Sequence, residues 1–423
     1  MTDGLLVLMG DRIGGKLTRG RDRRLTFAYE EDYRATPDAT PLSVSMPIQV
    51  RQHDDRTVTP WLWGLLPDND RVLRRWAERF HVSPNSPFAL LATPVGLDCA
   101  GAVRFVAEQH LDAALARPGS VRWLTDVEIG DRLRELRRDT TAWLGADFTG
   151  RFSLAGAQAK TALVCVNRRW GLPEGSAATS HIVKPAIAGF DDHDLNEHLC
   201  MRAAAHAGLA VAPTVLAVFD GEYAVVVERY DRVERDDGMR LRLHQEDVCQ
   251  ALGHHPSAKY QSDGGPAPRD IAALLRRVMT PRAADGAVWQ FLDALVWNWI
   301  IGGTDAHAKN YSLVLHADEI RLAPLYDIAS GLPYAHERDL RLAMKLGDDY
   351  RLHVQRASTW STLASDLRLD TDELRTRAHA LVSVATTAFE TAASDIGDVS
   401  SALPARLSSL ITERSARCLR TLE

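Results

Sequence analysis

The sequence predicts an α+β protein of two lobes, a sheet-containing lobe followed by an all-helical one, with an extra α+β subdomain in front. Three observations carry this. Strand-like apolar runs recur up to Asp231, and helical patterns dominate beyond it. A charged, helix-like stretch over 106–147 separates a first group of strands from a second. Late in the chain a polar loop, Thr304 to Asn310, lies between an apolar helix end, Trp297 to Ile301, and a strand-like run, Tyr311 to Leu315.

The 423 residues allow two or three domains. Apolar residues make up 45% and charged residues 25%, the balance of a soluble globular protein. No apolar run of about 18 residues exists, so no membrane span is expected. The N-terminus lacks the basic start of a signal peptide and enters a strand pattern directly. The five cysteines are scattered and read as buried thiols of a cytoplasmic protein, not as a disulfide framework or zinc site. A net charge of −6 gives no general electrostatic reason to bind nucleic acid.

In order along the chain, Leu5–Met9 and Ile13–Leu17 flank Gly10-Asp11-Arg12 as a hairpin, and Leu25–Tyr29 alternates as a strand. A helix is expected over Asp70 to Phe80. Asp68-Asn69-Asp70 reads either as a site or, more simply, as a solvated turn capping that helix. Residues 1–105 thus form a small α+β subdomain with no catalytic constellation, and 106–147 a helical connector. Residues 148–232 hold strand candidates at Thr161–Val166, His181–Lys184 and Ala224–Glu228, with a helix from Asp194 to Ala207 ended by Gly208. Residues 233–423 are the helical lobe, with helices expected at His244–Leu252, Arg269–Met279, Ala287–Ile301 and Asp370–Ala393.

Phosphoryl transfer needs few parts: backbone donors and a lysine for the phosphates, oxygens for Mg²⁺, and a carboxylate for the attacking hydroxyl. Asp305 and Asn310 have the spacing of the aspartate and asparagine in a protein-kinase catalytic loop, D-x-x-x-x-N. The stretch Gly150–Thr161, with Ala155, Gly156, Ala157, Gln158, Ala159 and Lys160 at its centre, reads as a phosphate nest or as an ordinary glycine hairpin. It has neither Walker A spacing nor G-x-G-x-x-G. Lys184 ends a strand, as a surface charge or as a lysine aimed at phosphates, and Glu197 lies on the next helix as a candidate partner. Glu228, Arg229 and Tyr230 follow a buried strand, as an adenine-pairing hinge or as solvated charges. Tyr326-Asp327 places one acid in an apolar run, which calls for a partner, either a metal ion or a helix N-terminus. His307, Ala308 and Lys309 share the loop of Asp305. Mg²⁺ prefers oxygen, so His307 reads as structural or phosphate-facing, while Lys309 could neutralise charge on the γ-phosphate.

Together these segments resemble the HipA family, the serine/threonine-kinase toxins of bacterial HipBA modules. The resemblance runs through Gly150–Thr161, Lys184, Glu228–Arg232, Thr304–Asn310 and Tyr326-Asp327. It extends to Gly64-Leu65-Leu66-Pro67-Asp68-Asn69 and Asp98–Val103 in the first subdomain. It implies a two-lobed protein-kinase-like fold with ATP and Mg²⁺ as cofactors and a serine hydroxyl as acceptor. It implies Asp305 as catalytic base, Asn310 and Asp327 as magnesium ligands, and residues 155–160 with Lys184 as phosphate contacts. Ser153 matches a serine that the family autophosphorylates. A dianion there would clash with a loop that cradles phosphates and would silence the kinase. The implied target is an aminoacyl-tRNA synthetase, and the implied partner is a small HipB-like helix-turn-helix antitoxin, through which alone the protein meets DNA. Tyr230 stands where phenylalanine is common in the family, and Ala159 where a polar residue is common. Two alternatives remain: a small-molecule phosphotransferase of the same fold, and a corepressor that only binds its antitoxin.

Overall fold

The computed structural model describes residues 3–116, 119–145, 152–234, 240–317, 319–397 and 399–422; Gly150 and Arg151 of the expected phosphate loop lie outside these. The first subdomain is built on a five-stranded antiparallel sheet in the order Gln52–His53, Leu25–Tyr29, Arg12–Arg19, Asp3–Met9, Val103–Ala107. Alternation in Leu25–Tyr29 buries Leu25, Phe27 and Tyr29 against the helices Asp55–Gly64 and Asp70–Phe80. The second helix starts as the sequence predicts. The Asn69 side chain accepts hydrogen bonds from the Arg71 and Val72 amides.

The second sheet has six antiparallel strands, ordered Thr214–Phe219, Glu222–Glu228, His181–Lys184, Thr161–Val166, Arg169–Glu174, Ser120–Trp123. Its last strand comes from the stretch expected as a connector. The helix Asp126–Arg138, with Thr125 and Glu128 forming a capping box, seals that sheet with Ile129 and Leu133. The connector is therefore part of the lobe, because its apolar face completes a core that the sheet alone leaves open. The helix His193–His206 crosses between the sheet and the second lobe and ends beside Gly208, which takes φ +87°.

The second lobe is mainly helical, with Pro268–Val278, Pro281–Ile301, Ala357–Leu367, Thr371–Ile396 and Leu403–Leu422 around one apolar core. Asp370 caps the long helix from just outside it. The expectation of helices alone needs amending. Two small sheets interrupt them: His244–Asp247, Ser312–His316 and Glu319–Leu322, then Arg341–Leu346 with Asp349–Arg351. The expected helix His244–Leu252 is a strand over its first half. His244–Asp247 pairs antiparallel with Ser312–His316, and only then does Asp247, capping with Gln250, start the helix Val248–Leu252. No described helix is long and apolar enough to cross a membrane.

Buried polar groups tie the first subdomain to the rest. Asp98 is 3% exposed and takes hydrogen bonds from Thr179, at 2.6 Å to its hydroxyl, and from Arg232, at 3.0 Å. Glu246 accepts from the Val44 amide and from Trp61 Nε1. Burial drives the Glu246 carboxyl up to about 8.

Candidate active site

A cavity of about 490 Å³ lies where the first subdomain, the six-stranded sheet and the helical lobe meet. Its size is that of a small-molecule or nucleotide site. The sheet contributes Lys184 from the end of His181–Lys184. The ammonium stands 2.8 Å from Glu197 Oε1 and 2.6 Å from Asp327 Oδ1. Glu197 reaches it because His193–His206 runs directly behind the strand, with Glu197 on the face turned to the sheet and 1% exposed. Burial alone would discharge Lys184, but Asp327 and Glu197 outweigh it and hold its pKa above the ordinary lysine value. Burial likewise opposes charge on Asp327; Lys184 and Lys160 pull its carboxyl well below the usual range. Asp327 itself takes φ +59°, a left-handed conformation that a non-glycine residue adopts at some cost.

The other wall is the loop after Pro281–Ile301. That helix stops at Gly302, φ +65°, where no side chain opposes the reversal. Asp305 then projects outward with a side chain 66% exposed. Its carboxylate accepts a hydrogen bond from the Tyr260 hydroxyl and lies 4.0 Å from His307 Nε2. Asn310 Nδ2 donates to the Asp305 carbonyl at 2.7 Å, which closes the loop and leaves Oδ1 as the free end of the amide. His307 is 4% exposed, and burial lowers its pKa. Its buried Nδ1 has no hydrogen-bond partner among the described residues. Tyr326 stacks on Tyr230, with centroids 5.6 Å apart, and donates to the Lys309 carbonyl at 2.7 Å.

The loop Ala155–Lys160 forms the roof. Gly156 takes φ +103°, and a Cβ there would stand 2.6 Å from Lys160 Nζ, so the position suits glycine alone. Lys160 donates to the Ala155 carbonyl at 2.7 Å, and Gln158 to the Pro185 carbonyl at 3.3 Å. Burial, reinforced by the nearby Lys184 charge, brings Lys160 down to about 8. Ala157 and Gln158 line the cavity beside Gly156, while Ala159 turns into the core of the first subdomain.

The structure thus brings Lys160, Lys184, Glu228–Tyr230, Asp305, His307, Lys309, Asn310 and Asp327 to one cavity. Three assignments change in detail. The Arg229 guanidinium is committed to Asp231 at 2.9 Å and to Asp98, so only its main chain is available to a ligand. Lys309 is bound by Asp68, at 2.5 Å, and is not a free γ-phosphate cation. Ser153 is fully buried, its hydroxyl donating to the Leu65 carbonyl at 2.8 Å. The structure also decides one open reading and adds a residue. Asp68, read as a site or, more simply, as part of a solvated helix cap, is a cavity residue with a side chain 11% exposed, paired to Lys309 and to Lys259. Tyr260, on Asp305, carried no local signal.

The residues fit a nucleotide and a divalent ion. Four lysines line one cavity; Asp68 neutralises Lys259 and Lys309, which leaves Lys160 and Lys184 as the cations for bound phosphates, and the buried His307 Nδ1 has no polar partner among the described residues. Asp327 and the free Asn310 oxygen are hard oxygen donors suited to Mg²⁺.

Two family models match the chain: the HipA N-terminal domain over residues 5–106 and the HipA-like C-terminal domain over 152–389. The chain is 37% identical over 389 residues to Y4mE of Sinorhizobium fredii, provisionally named a kinase, covering 92% of this chain and 91% of that protein. It is 32% identical over 339 residues to the serine/threonine-protein kinase toxin HipA of Shewanella oneidensis, covering 77% and 74%. The fold matches a HipA–HipB–operator DNA complex of Shewanella oneidensis with a TM-score of 0.85 at 26% identity, covering 99% of this chain and 97% of that one. With both halves of the cavity inside matched regions, the two-lobed kinase-like chain belongs to the HipA family.

Proposed function

We propose that this protein is a toxin serine/threonine protein kinase that uses ATP and Mg²⁺. The observation that carries the reading is Lys184, held between Glu197 and Asp327 inside a cavity whose mouth exposes Asp305. In this reading residues 120–232, with the strand and helix of the expected connector included, and 233–423 are the kinase lobes and 1–105 an accessory subdomain. The 155–160 amides and Lys184 hold the phosphates, and the Glu228–Tyr230 main chain pairs with the adenine. Asn310 and Asp327 would hold magnesium, which neutralises charge that builds on the phosphates. Asp305 accepts the proton of the acceptor hydroxyl as its oxygen bonds to the γ-phosphorus; the bond from that phosphorus to the β–γ bridging oxygen breaks, and ADP leaves. The exposure of Asp305 suits a protein substrate, and Tyr260 must release it for the acceptor to approach.

The proposed acceptor is a serine of an aminoacyl-tRNA synthetase, whose modification halts translation in the cytoplasm. The proposed partner is a HipB-like antitoxin, supported by the HipB present in the matched Shewanella complex. Autophosphorylation at Ser153 is proposed as the off-switch: its burial leaves no room for a phosphate, so modification requires the loop to leave the cavity. The test is phosphate transfer from labelled ATP, together with growth on expression. Transfer to a protein acceptor and growth arrest, both lost in Asp305→Ala, are expected. Transfer to a small alcohol in place of protein indicates a small-molecule kinase. Equal arrest by both chains indicates partner sequestration.

A further inference from the structure

The catalytic parts described so far all come from the two lobes, yet one charged group in the cavity belongs to the first subdomain. Asp68 sits one residue before the capping Asn69, at the rigid start of Asp70–Phe80. Its amide donates to the Gly156 carbonyl at 3.0 Å, on the phosphate loop. Its carboxylate takes Lys309 at 2.5 Å on one oxygen and Lys259 at 3.0 Å on the other. The Lys309 side chain is 3% exposed and the Lys259 side chain 15% exposed. Ammonium groups so enclosed demand a counter-charge. Burial opposes charge on Asp68, but the two lysines hold its carboxyl below the ordinary value.

The geometry also forms a circuit. The Ala308 amide donates to the Lys259 carbonyl at 3.2 Å, so the two lysines are linked through their main chains as well. The Lys309 carbonyl accepts from the Tyr326 hydroxyl, and Tyr326 precedes Asp327. Fixing Lys309 therefore fixes Asn310 on one side and Asp327 on the other. A purely structural role is an incomplete account, because Asp98 and Glu246 already dock the subdomain elsewhere.

We propose that Asp68 is a positioning residue through which the first subdomain holds the phosphate loop and the catalytic loop in register. This rests on the kinase reading above. In the full-length chain, Asp68→Asn keeps the amide contact and removes the charge. It is expected to lower kcat by about tenfold to a hundredfold while the KM for ATP changes little. In a Lys309→Met background the same substitution is expected to cost almost nothing further, because the two residues act as a unit. Asp68→Glu should restore part of the lost kcat. Unchanged kcat, or equal losses in both backgrounds, overturns the proposal.

Amide hydrogen exchange provides an arm that needs no activity. Faster exchange at both 154–160 and 305–310 in Asp68→Asn, with an unchanged global melting temperature, is expected. Unchanged exchange in both loops overturns the coupling. If the wild type transfers no phosphate, the kinase reading fails while exchange still decides the role of Asp68. If Asp68→Asn does not fold, Lys309→Met removes the same bond from the other side and should likewise speed exchange at 154–160; no change there refutes the link.

Discussion

The Lys184 ammonium lies 2.8 Å from the Glu197 carboxylate, and both side chains are almost wholly enclosed, 6% and 1% exposed. Removing one partner of such a pair leaves uncompensated buried charge. Lys184→Met is expected to lower unfolding stability by about 3–5 kcal/mol and to abolish high-affinity nucleotide binding. Chemical denaturation and nucleotide titration measure the two effects. Unaltered nucleotide affinity in a folded variant would remove Lys184 from the phosphate site.

The Asp305 side chain is exposed and meets only Tyr260 and His307 among the described residues, while the bond that closes its loop is to its main-chain carbonyl, which alanine keeps. Asp305→Ala should therefore retain the melting temperature and most of the ATP affinity while kcat falls by about 10²–10⁴-fold, the range for a lost general base. Steady-state kinetics against the affinity of a non-hydrolysable analogue separates these. Normal turnover refutes the base assignment.

Asp327 offers a carboxylate that Lys184 holds in the cavity at 2.6 Å, and its charge is maintained by Lys184 and Lys160. Asp327→Asn should leave ATP binding insensitive to added Mg²⁺. Isothermal titration with and without the ion tests this, and an unchanged magnesium response excludes Asp327 from the metal site.

Lys160, brought down to about 8 by burial, is charged below that pH and neutral above it. Nucleotide affinity in its presence should be full near pH 7 and fall as the pH passes 8, and Lys160→Met should flatten this profile. The sign for stability is opposite. An unfolded lysine stays protonated to 10.5, so between 8 and 10.5 the unfolded chain binds more protons and this residue's contribution to stability rises with pH. Affinity measured across pH 6.5–9.5 checks the first statement, and denaturation over the same range checks the second.

Ser153 is fully buried, with its hydroxyl on the Leu65 carbonyl. Ser153→Ala should cost only about 1 kcal/mol, the worth of one hydrogen bond. Ser153→Asp buries a charge without a counter-ion and should displace the 152–160 loop, eliminating nucleotide binding while the helical lobe stays folded. Limited proteolysis near the loop, paired with nucleotide titration, reads both. Full binding by Ser153→Asp would overturn the proposed switch.

Much of the fold and the site was legible because the signals are local. The alternation of Leu25–Tyr29, the apolar run of Thr161–Val166, the Asn69 and Asp370 caps and the reversal at Gly302 are all encoded within a few residues. The Asp305–Asn310 spacing is of the same kind: the amide closes onto its own loop. The strand His244–Asp247 was missed because its pairing partner, Ser312–His316, lies far along the chain. A short polar stretch with no alternation of its own, leading straight into a helix, reads as more helix until that partner is known.

The sequence by itself determined which chemical groups the site holds and the elements that present them, since periodicity, capping and spacing act over a few residues. Only the tertiary structure decided how those groups are paired. It set Glu197 on Lys184, committed Arg229 to the interdomain cluster, buried Ser153 and brought Asp68 to Lys309 across 241 residues of chain. The physical reason is that an isolated aspartate beside a helix cap satisfies its local hydrogen bonds either way. Its charge finds a buried lysine only when two separate apolar cores, each closed by its own packing, have come together.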